Sequence, residues 1–396
     1  LRRPLEGVRI IAVEHYGAGP FGTMYLADLG ADVIKIENPK VGGDMSRHVG
    51  PFLLGDHDSE FFQTLNRNKR SLTLDIKDDE GRAIFLKLIK TADAVVNNLR
   101  GDQPEKLGLT FDALKATNPK IVCGHLSAYG REGTRASWPG YDYLMQGEVG
   151  FMALTGEPDG PPNRMGLSMV DWMTGITTML GLVSTILSAS KTGEGADVDV
   201  CLFDTALHQM TYPATWYLNE GFVTERAPRS AHPSLVPSQL YTASDGWIYI
   251  MALTDKFWEI FIEGIGRPDI GENPEFVDFP ARLENRDKLT EVLDSVLAGK
   301  TVAEWMEMFA GRIPVGPVYD IPKALDNPYL DERKMIQTVD HPTKPGLRVI
   351  ANPIQVDGER MPGKPAPQLG ADNDDILSEI GYSESEIAKL RGDGVV

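Results

Sequence analysis

Between Val8 and Glu37 the chain reads VRIIAVEHYGAGPFGTMYLADLGADVIKIE, and no other stretch restricts its fold so tightly. Two short apolar runs, VRIIAV and DVIKIE, have strand character, and the residues between them combine a glycine-rich turn with helical spacing. The turn itself, Gly17 to Gly22, satisfies the pattern G-x-G-x-x-G, and Pro20 suits the first turn of a helix, where its missing N–H costs nothing. Glu37 ends the second strand about 20 positions past the first glycine, where dinucleotide-binding folds hold a ribose hydroxyl. One reading is therefore a nicotinamide or flavin site. The other is a doubly wound domain that uses the same turn to bring its backbone up to a different ligand.

The alternation continues. Strand-like segments recur near Val8, Val33, Leu72, Ala94 and Ile121, with helices starting near Pro20, Asp79 and Phe111. This predicts an α/β fold with a largely parallel sheet, whose ligands gather at the carboxyl ends of the strands. A Gly- and Pro-rich loop, Gly156 to Gly166, leads to Asp171 and then to an almost uncharged helix from about Met173 to Ser190, closed by Lys191 and Gly193. Apolar nearly all round, that helix is expected to be buried. A strand follows at ADVDVCLF, and Asp204 is read as the cap of the helix after it. The expected organisation is a large domain over 1–218, a polar linker over 219–240, and a small α+β domain over 241–321 with a hairpin around Asp245-Gly246. A C-terminal segment, 322–396, then wraps back over another surface.

A formal charge of −18 opposes nucleic acid and anionic membranes, so an anionic ligand needs a local basic patch. No apolar stretch is read as membrane-spanning, and LRRPLEGVRI lacks the long apolar region of a signal peptide, which points to the cytoplasm. Cys123 and Cys201 lie in apolar strand-like surroundings and are read as buried core thiols. The seven histidines show no metal-ligand spacing, so no metal site is expected. The basic candidates for phosphate contact are Arg67, Lys69 and Arg70 in NRNKR, together with Lys40, Arg100 and Lys106, with Lys69 and Arg70 beside a strand as the leading pair.

Seven blocks occur in order and spacing along nearly the whole chain: PLEGVRIIAVEHYGAGPFGTMYLADLGADVIKIENPKVGGDMSR, LNRNKRSLTLDIK, KLGL, GYDYLMQGEVGFMALTG, VDWMTGITTMLGLVSTILSASKTGEGADVDVCLFD, HPSLVPSQLYTASDGWIYI and IPVGPVYDI. In these the chain resembles the family III CoA-transferases, the formyl-CoA and carnitine-type group that includes α-methylacyl-CoA racemase. The resemblance implies a Rossmann-like large domain built from both chain ends, a small α+β domain between, and two subunits threaded through each other as an interlocked homodimer. It implies acyl-CoA and a free carboxylic acid as substrates, with no tightly bound cofactor, and places the nucleophile at Asp171. There, the start of a helix is expected to keep the carboxylate ionised.

It also places His15, Gly17 and Ala18 beside the acyl thioester, Asn98 and Lys106 at pantetheine and phosphate, and Tyr141 on the CoA or acyl site. The sequence departs from the formyl-CoA branch at Gly17, where a glutamine stands in those enzymes, and at HPSLVPSQ, which replaces their run of glycines. It departs from the racemase branch at Tyr141, which stands in place of the motif's histidine. A phenol is a poor proton carrier at neutral pH, so transfer is favoured over racemisation. A racemase, and a non-catalytic acyl-CoA-binding relative, are the alternatives. Glu37 and Asp142 are read as polar contacts within the fold, with no catalytic role.

Overall fold

The segments read as strands pair into one sheet: β1 (Arg9–Val13), β2 (Asp32–Glu37), β3 (Arg70–Thr73), β4 (Ala94–Asn97), β5 (Val122–Ser127) and β6 (Asp197–Cys201). The order is β3-β2-β1-β4-β5-β6 and every pairing is parallel, so the winding reverses between β1 and β4. Helices cover both faces, which explains why the central strands β1 and β4 are nearly continuous apolar runs. Ile10 and Ala12 pack with Leu26, Met179 and Leu182 on one face. Ile11 packs with Phe85 and Leu88 on the other, together with Ile376 and Leu390 from near the C-terminus.

The computed structural model describes residues 2–396, which form two compact units. The first comprises residues 2–149, Gly166–Thr211 and Tyr329–Val396. Its helices include α1 (Ala18–Asp28), α2 (Asp79–Ile89), α3 (Asp142–Glu148), α4 (Met169–Thr192) and α5 (Leu202–Gln209). Asp372 and Asn373, at the start of a C-terminal helix, accept hydrogen bonds from the backbone N–H groups of Ser71 and Thr73. They thereby satisfy an edge strand that would otherwise offer itself for pairing. The second unit is Gly150–Met165 with Tyr212–Pro328. In it, strands Ser238–Ala243, Gly246–Met251 and Val315–Pro317 form an antiparallel sheet around a core that includes Tyr241, Trp258, Phe261 and Trp305.

The boundaries differ from the expected ones for local reasons. The units change at Thr211, where a positive φ of 47° breaks the helical path between α5 and the next helix, so residues 212–218 leave the first unit. The loop 150–165 belongs to the second unit, where Glu157 accepts from the backbone of Arg229 and the carbonyls of Gly160 and Pro161 accept from Arg226. Asp204 is not the cap of α5. The Sγ of Cys201 accepts from Asp204 N–H and fills that role.

The long helix α4 departs most from expectation. It begins at Met169, so Asp171 lies inside its first turn and does not precede it. At 24 residues it is long and apolar enough to cross a membrane by length and composition, yet it packs on the sheet against α1, α5, β5 and β6. Its outer stripe is open in the single chain, with Ile176 45%, Leu180 70% and Leu187 56% exposed.

The contact between α1 and α4 runs through glycines. A Cβ on Gly22 would lie 2.7 Å from the Gly175 carbonyl oxygen, and one on Gly175 would lie 2.5 Å from that of Ala18. Backbone therefore meets backbone, and neither helix has room for a side chain. Gly175→Val should cost roughly 1–3 kcal/mol through forced separation of the helices. Urea unfolding measures this, and an unchanged midpoint would show that the helices do not approach so closely.

Candidate active site

The loop after β1 is held from beneath by charges sealed inside the protein. Lys69 Nζ donates to Glu14 Oε1 at 2.8 Å, to the Pro20 carbonyl at 3.0 Å and to Asn66 at 2.9 Å. Lys35 Nζ donates to the Glu14 carbonyl at 2.9 Å and pairs with Asp44 at 2.8 Å. Asp44 accepts in turn from the N–H of Tyr16 at 3.0 Å, and Glu37 pairs with the buried Arg47 at 2.7 Å. Three carboxylates face three cations, all buried. Burial disfavours the charge on Lys35, but Asp44 and Glu14 outweigh it and raise its pKa. The Asp44 carboxyl falls well below its ordinary value because Lys35 and the Ser46 and Tyr16 N–H groups outweigh its burial. Lys69, for which burial dominates over Glu14, is pushed down to about 8.

This network fixes a strained turn. Tyr16 has φ of 67°, a left-handed conformation that costs a non-glycine residue free energy, and the Asp44 hydrogen bond to its N–H holds it there. Asn98, at the end of β4, clamps the preceding residue: its Oδ1 accepts from His15 N–H at 2.9 Å and its Nδ2 donates to the His15 carbonyl at 2.6 Å. The chain then enters α1 at Gly17 and Ala18, where the first-turn N–H groups have no partner within the helix.

Above this loop lies a cleft of about 410 Å³, formed at the carboxyl ends of β1, β4 and β5 where the winding reverses. His15, Gly17, Ala18, Asn98, Arg100, Tyr141 and Asp171 all line it, so seven of the residues singled out from the sequence meet at one place. Ser127 and Trp138, which the sequence did not single out, complete its wall. Gly17 sits directly against the nucleophile candidate, since a Cβ there would lie 2.8 Å from Asp171 Oδ2. Phe21 of α1 packs on Trp172 of α4 with ring centres 4.5 Å apart, reinforcing the register.

The electrostatics of Asp171 correct the expectation of a permanently ionised carboxylate. Burial, with the negative charge of Asp142 second, pushes its pKa up to about 7 and outweighs the helix terminus. Asp142, expected to make a polar contact within the fold, accepts the N–H of Asp171 at 2.9 Å. A contact between residues 29 positions apart leaves no periodic signal. His15 opens onto the cleft but is ringed by protein, and this desolvation holds its imidazole below its ordinary value and therefore neutral at pH 7.

The basic candidates divide. Arg100 lines the cleft, half-exposed and 3.6 Å from Asp102. Lys106 is outside it, paired with Asp102 at 2.6 Å on the surface. Lys69 is corrected: fully enclosed, it binds Glu14 and is closed to any phosphate. Arg70 is corrected as well. It starts β3, at the amino edge of the sheet away from the cleft, and binds Asp32 and Glu379 there at 2.7 Å. Arg67 is sealed against Asp28 at 2.6 Å. Glu37, bonded to Arg47 and to Ser71 Oγ at 2.6 Å, is closed to a ribose.

A second cleft of about 360 Å³ adjoins the first through His15, Met45, Leu99 and Gln103, and runs along the ends of β1–β3. Lys77 and Asp75 border it, and Lys40 reaches Asp75 at 2.9 Å. No group of three or more potential metal ligands occurs among the described residues.

The model of CoA-transferase family III matches residues 5–373, and the chain belongs to that family. It is similar to an acyl-CoA transferase of Fusarium pseudograminearum, 34% identical over 99% of this chain and 88% of the relative. It is also 34% identical to an acetyl-CoA:oxalate CoA-transferase of Acetobacter aceti over 97% of each chain, and 33% identical to a succinyl-CoA:mesaconate CoA-transferase of Haloarcula hispanica over 95% and 96%. Among solved structures, a CAIB/BAIF family protein from Brucella suis superposes with a TM-score of 0.83 at 30% identity, covering 96% of this chain and all of that one. The protein is an enzyme of the CoA-transferase class, acting on CoA thioesters.

Two outcomes test the site's energetics. Lys69→Met strands Glu14 in the interior and should destabilise the protein by about 3–5 kcal/mol in urea titrations, with much of the loss recovered by adding Glu14→Gln. A carboxyl whose pKa is raised by folding favours the native state only while protonated. Its contribution therefore declines as pH climbs from the ordinary aspartate range through about 7. Asp171→Asn should accordingly be more stable than the wild type by roughly 2–4 kcal/mol at pH 8 and equal to it near pH 4. Parallel thermal melts report this, and equal stability at both pH values would refute the raised ionisation.

Proposed function

We propose that the protein is a homodimeric CoA-transferase that moves CoA from an acyl-CoA donor to a free carboxylic acid through covalent intermediates on Asp171. The observation that carries this reading is the Asp171 carboxyl held against Gly17 in the cleft, at the start of two helices whose N–H groups face developing negative charge. The ionised carboxylate attacks the thioester carbonyl and expels CoA thiolate, leaving a mixed anhydride. The thiolate then attacks the Asp171 carbonyl and releases the donor acid, leaving an aspartyl-CoA thioester. The acceptor carboxylate attacks that thioester and expels thiolate again. The thiolate takes the acceptor acyl group and frees Asp171.

Each tetrahedral oxyanion requires fixed donors, and the N–H groups of Ala18 and Gly19 at the start of α1 are suited to supply them. With Gly17 in place of glutamine, no side-chain amide comes from that position. The continuous pair of clefts suits an extended thioester: the reacting end beside Asp171, and the nucleotide end along β1–β3 near Lys40 and Lys77. Arg100 is the cation available to an acid's second carboxylate, which favours small dicarboxylic substrates of the kind named for the relatives.

The open stripe Ile176, Leu180 and Leu187 of α4 supports a second copy as its cover, in the interlocked arrangement. Free, buried Cys123 and Cys201 suit a reducing compartment such as the cytoplasm.

Incubation with succinyl-CoA or acetyl-CoA, followed by quenching and mass spectrometry, should reveal a CoA adduct on the peptide containing Asp171 that Asp171→Ala abolishes. No adduct from a panel of donors, with exchange of an α-proton in deuterated water, would move the assignment to a racemase.

A further inference from the structure

We infer that Asp142 is a positioning residue for the transfer reaction, anchoring the turn that carries Asp171 and acting on the Asp171 carboxyl through its own negative charge. The inference rests on the reading of Asp171 as nucleophile.

Asp142 is buried and opens α3, immediately after Tyr141 of the cleft wall. Both of its oxygens are engaged. Oδ2 accepts the N–H of Asp171 at 2.9 Å, and Oδ1 accepts from Gln146 Nε2, one turn later, at 2.6 Å. Gln146 also donates to the Leu167 carbonyl at 3.3 Å, so one turn of α3 holds the chain just before α4 and again at the nucleophile. Between these two anchors and α3 the chain has made its excursion through 150–165 into the other unit. The Asp142 hydrogen bond therefore joins the α1 contacts in fixing the start of α4 at the cleft where the chain returns from that excursion.

Anchoring alone does not require a charge. An asparagine oxygen accepts an N–H equally well, and an amide is far cheaper to bury than a carboxylate. The charge has a second effect because of what else faces Asp171. From the start of α1 come Gly17 and Ala18, which have no titratable group. The end of β5 offers Ser127 and the start of α5 offers Leu202. The loop after β1 presents His15, which is neutral at pH 7. Arg100, after β4, is the cation that lines the cleft, and it lies 3.6 Å from Asp102, so the charge of Asp142 opposes ionisation of Asp171 and adds to the effect of burial.

The test uses the full chain and needs no substrate. Thermal melts across pH 4–9 compare wild type with Asp171→Asn, and Asp142→Asn with Asp142→Asn/Asp171→Asn. Within each pair, the gap between the two melting temperatures opens in the ordinary aspartate range and levels off at the pH where native Asp171 ionises. Asp142→Asn keeps the acceptor and removes the charge, so the gap should level off about one pH unit lower and at a smaller size. Asp142→Ser should shift it in the same direction. An unmoved levelling-off pH, or failure of both variants to fold, would overturn the proposal by leaving Asp142 a purely structural role. Where succinyl-CoA loads Asp171, the midpoint of the loading rate against pH should fall in parallel, while Asp142→Ala, lacking an acceptor, should lose tenfold or more of the plateau rate. An adduct that persists in Asp171→Ala would instead refute the nucleophile, a result separable from the melting data.

Discussion

The approach of α1 to α4 at Gly22 and Gly175 is the constraint on which the rest of the site depends. Both helices begin at the same end, four and six residues before the crossing, so backbone contact there brings their first turns together. Any side chain at the crossing would push the Asp171 carboxyl away from Gly17. Gly17 repeats the logic on a smaller scale, because the carboxyl occupies the space where a side chain would stand. The glycines of the G-A-G-P-F-G turn thus serve two different approaches, one helix to another and one functional group to the loop, and neither involves a dinucleotide.

The buried cluster beneath the loop serves geometry more than stability. Taking Glu14, Lys35, Asp44, Glu37, Arg47 and Lys69 out of water is expensive, and the attraction between them does little more than offset that cost. The arrangement brings order. With Asp44 on the Tyr16 N–H, Lys35 on the Glu14 carbonyl and Asn98 on both polar groups of His15, the strained loop has one available conformation. Catalytic groups require such definition, because small displacements of a reacting atom are costly in rate.

How much of this was legible in the sequence depended on the range of the interaction involved. The parallel sheet was readable because strand and helix periodicities are local, and so were the hairpin of the second unit and the apolar helix after Asp171. His15, Gly17, Ala18, Tyr141 and Asp171 of the main cleft were readable because they fall within motif blocks, whereas Ser127 and Trp138 lie outside them and were missed. What escaped were partnerships formed over distance. Lys69 and Arg70 look in sequence like a basic pair, yet only Arg70 belongs to β3 and the two side chains find different partners. Lys69 turns into the interior toward Glu14, 55 residues away, while Arg70 joins Asp32 and Glu379 at the amino edge. Asp142 was passed over for the same reason, and the expectation that Asp171 stays ionised failed because a helix terminus is visible in sequence while burial is not.

The raised ionisation of Asp171 also implies a proton ledger for the reaction. At neutral pH part of the resting enzyme carries a proton on this carboxyl, and the covalent route proposed for Asp171 would consume only its ionised form. On that route, loading the enzyme with donor would release a fraction of a proton to the medium, and discharging it to the acceptor would take the same fraction back. The overall exchange of one acid for another would stay proton-neutral, yet the proposed covalent half-way state would be favoured by alkaline conditions and disfavoured by acid. The ambient proton concentration would then set how much of the enzyme waits in the charged-up form for an acceptor.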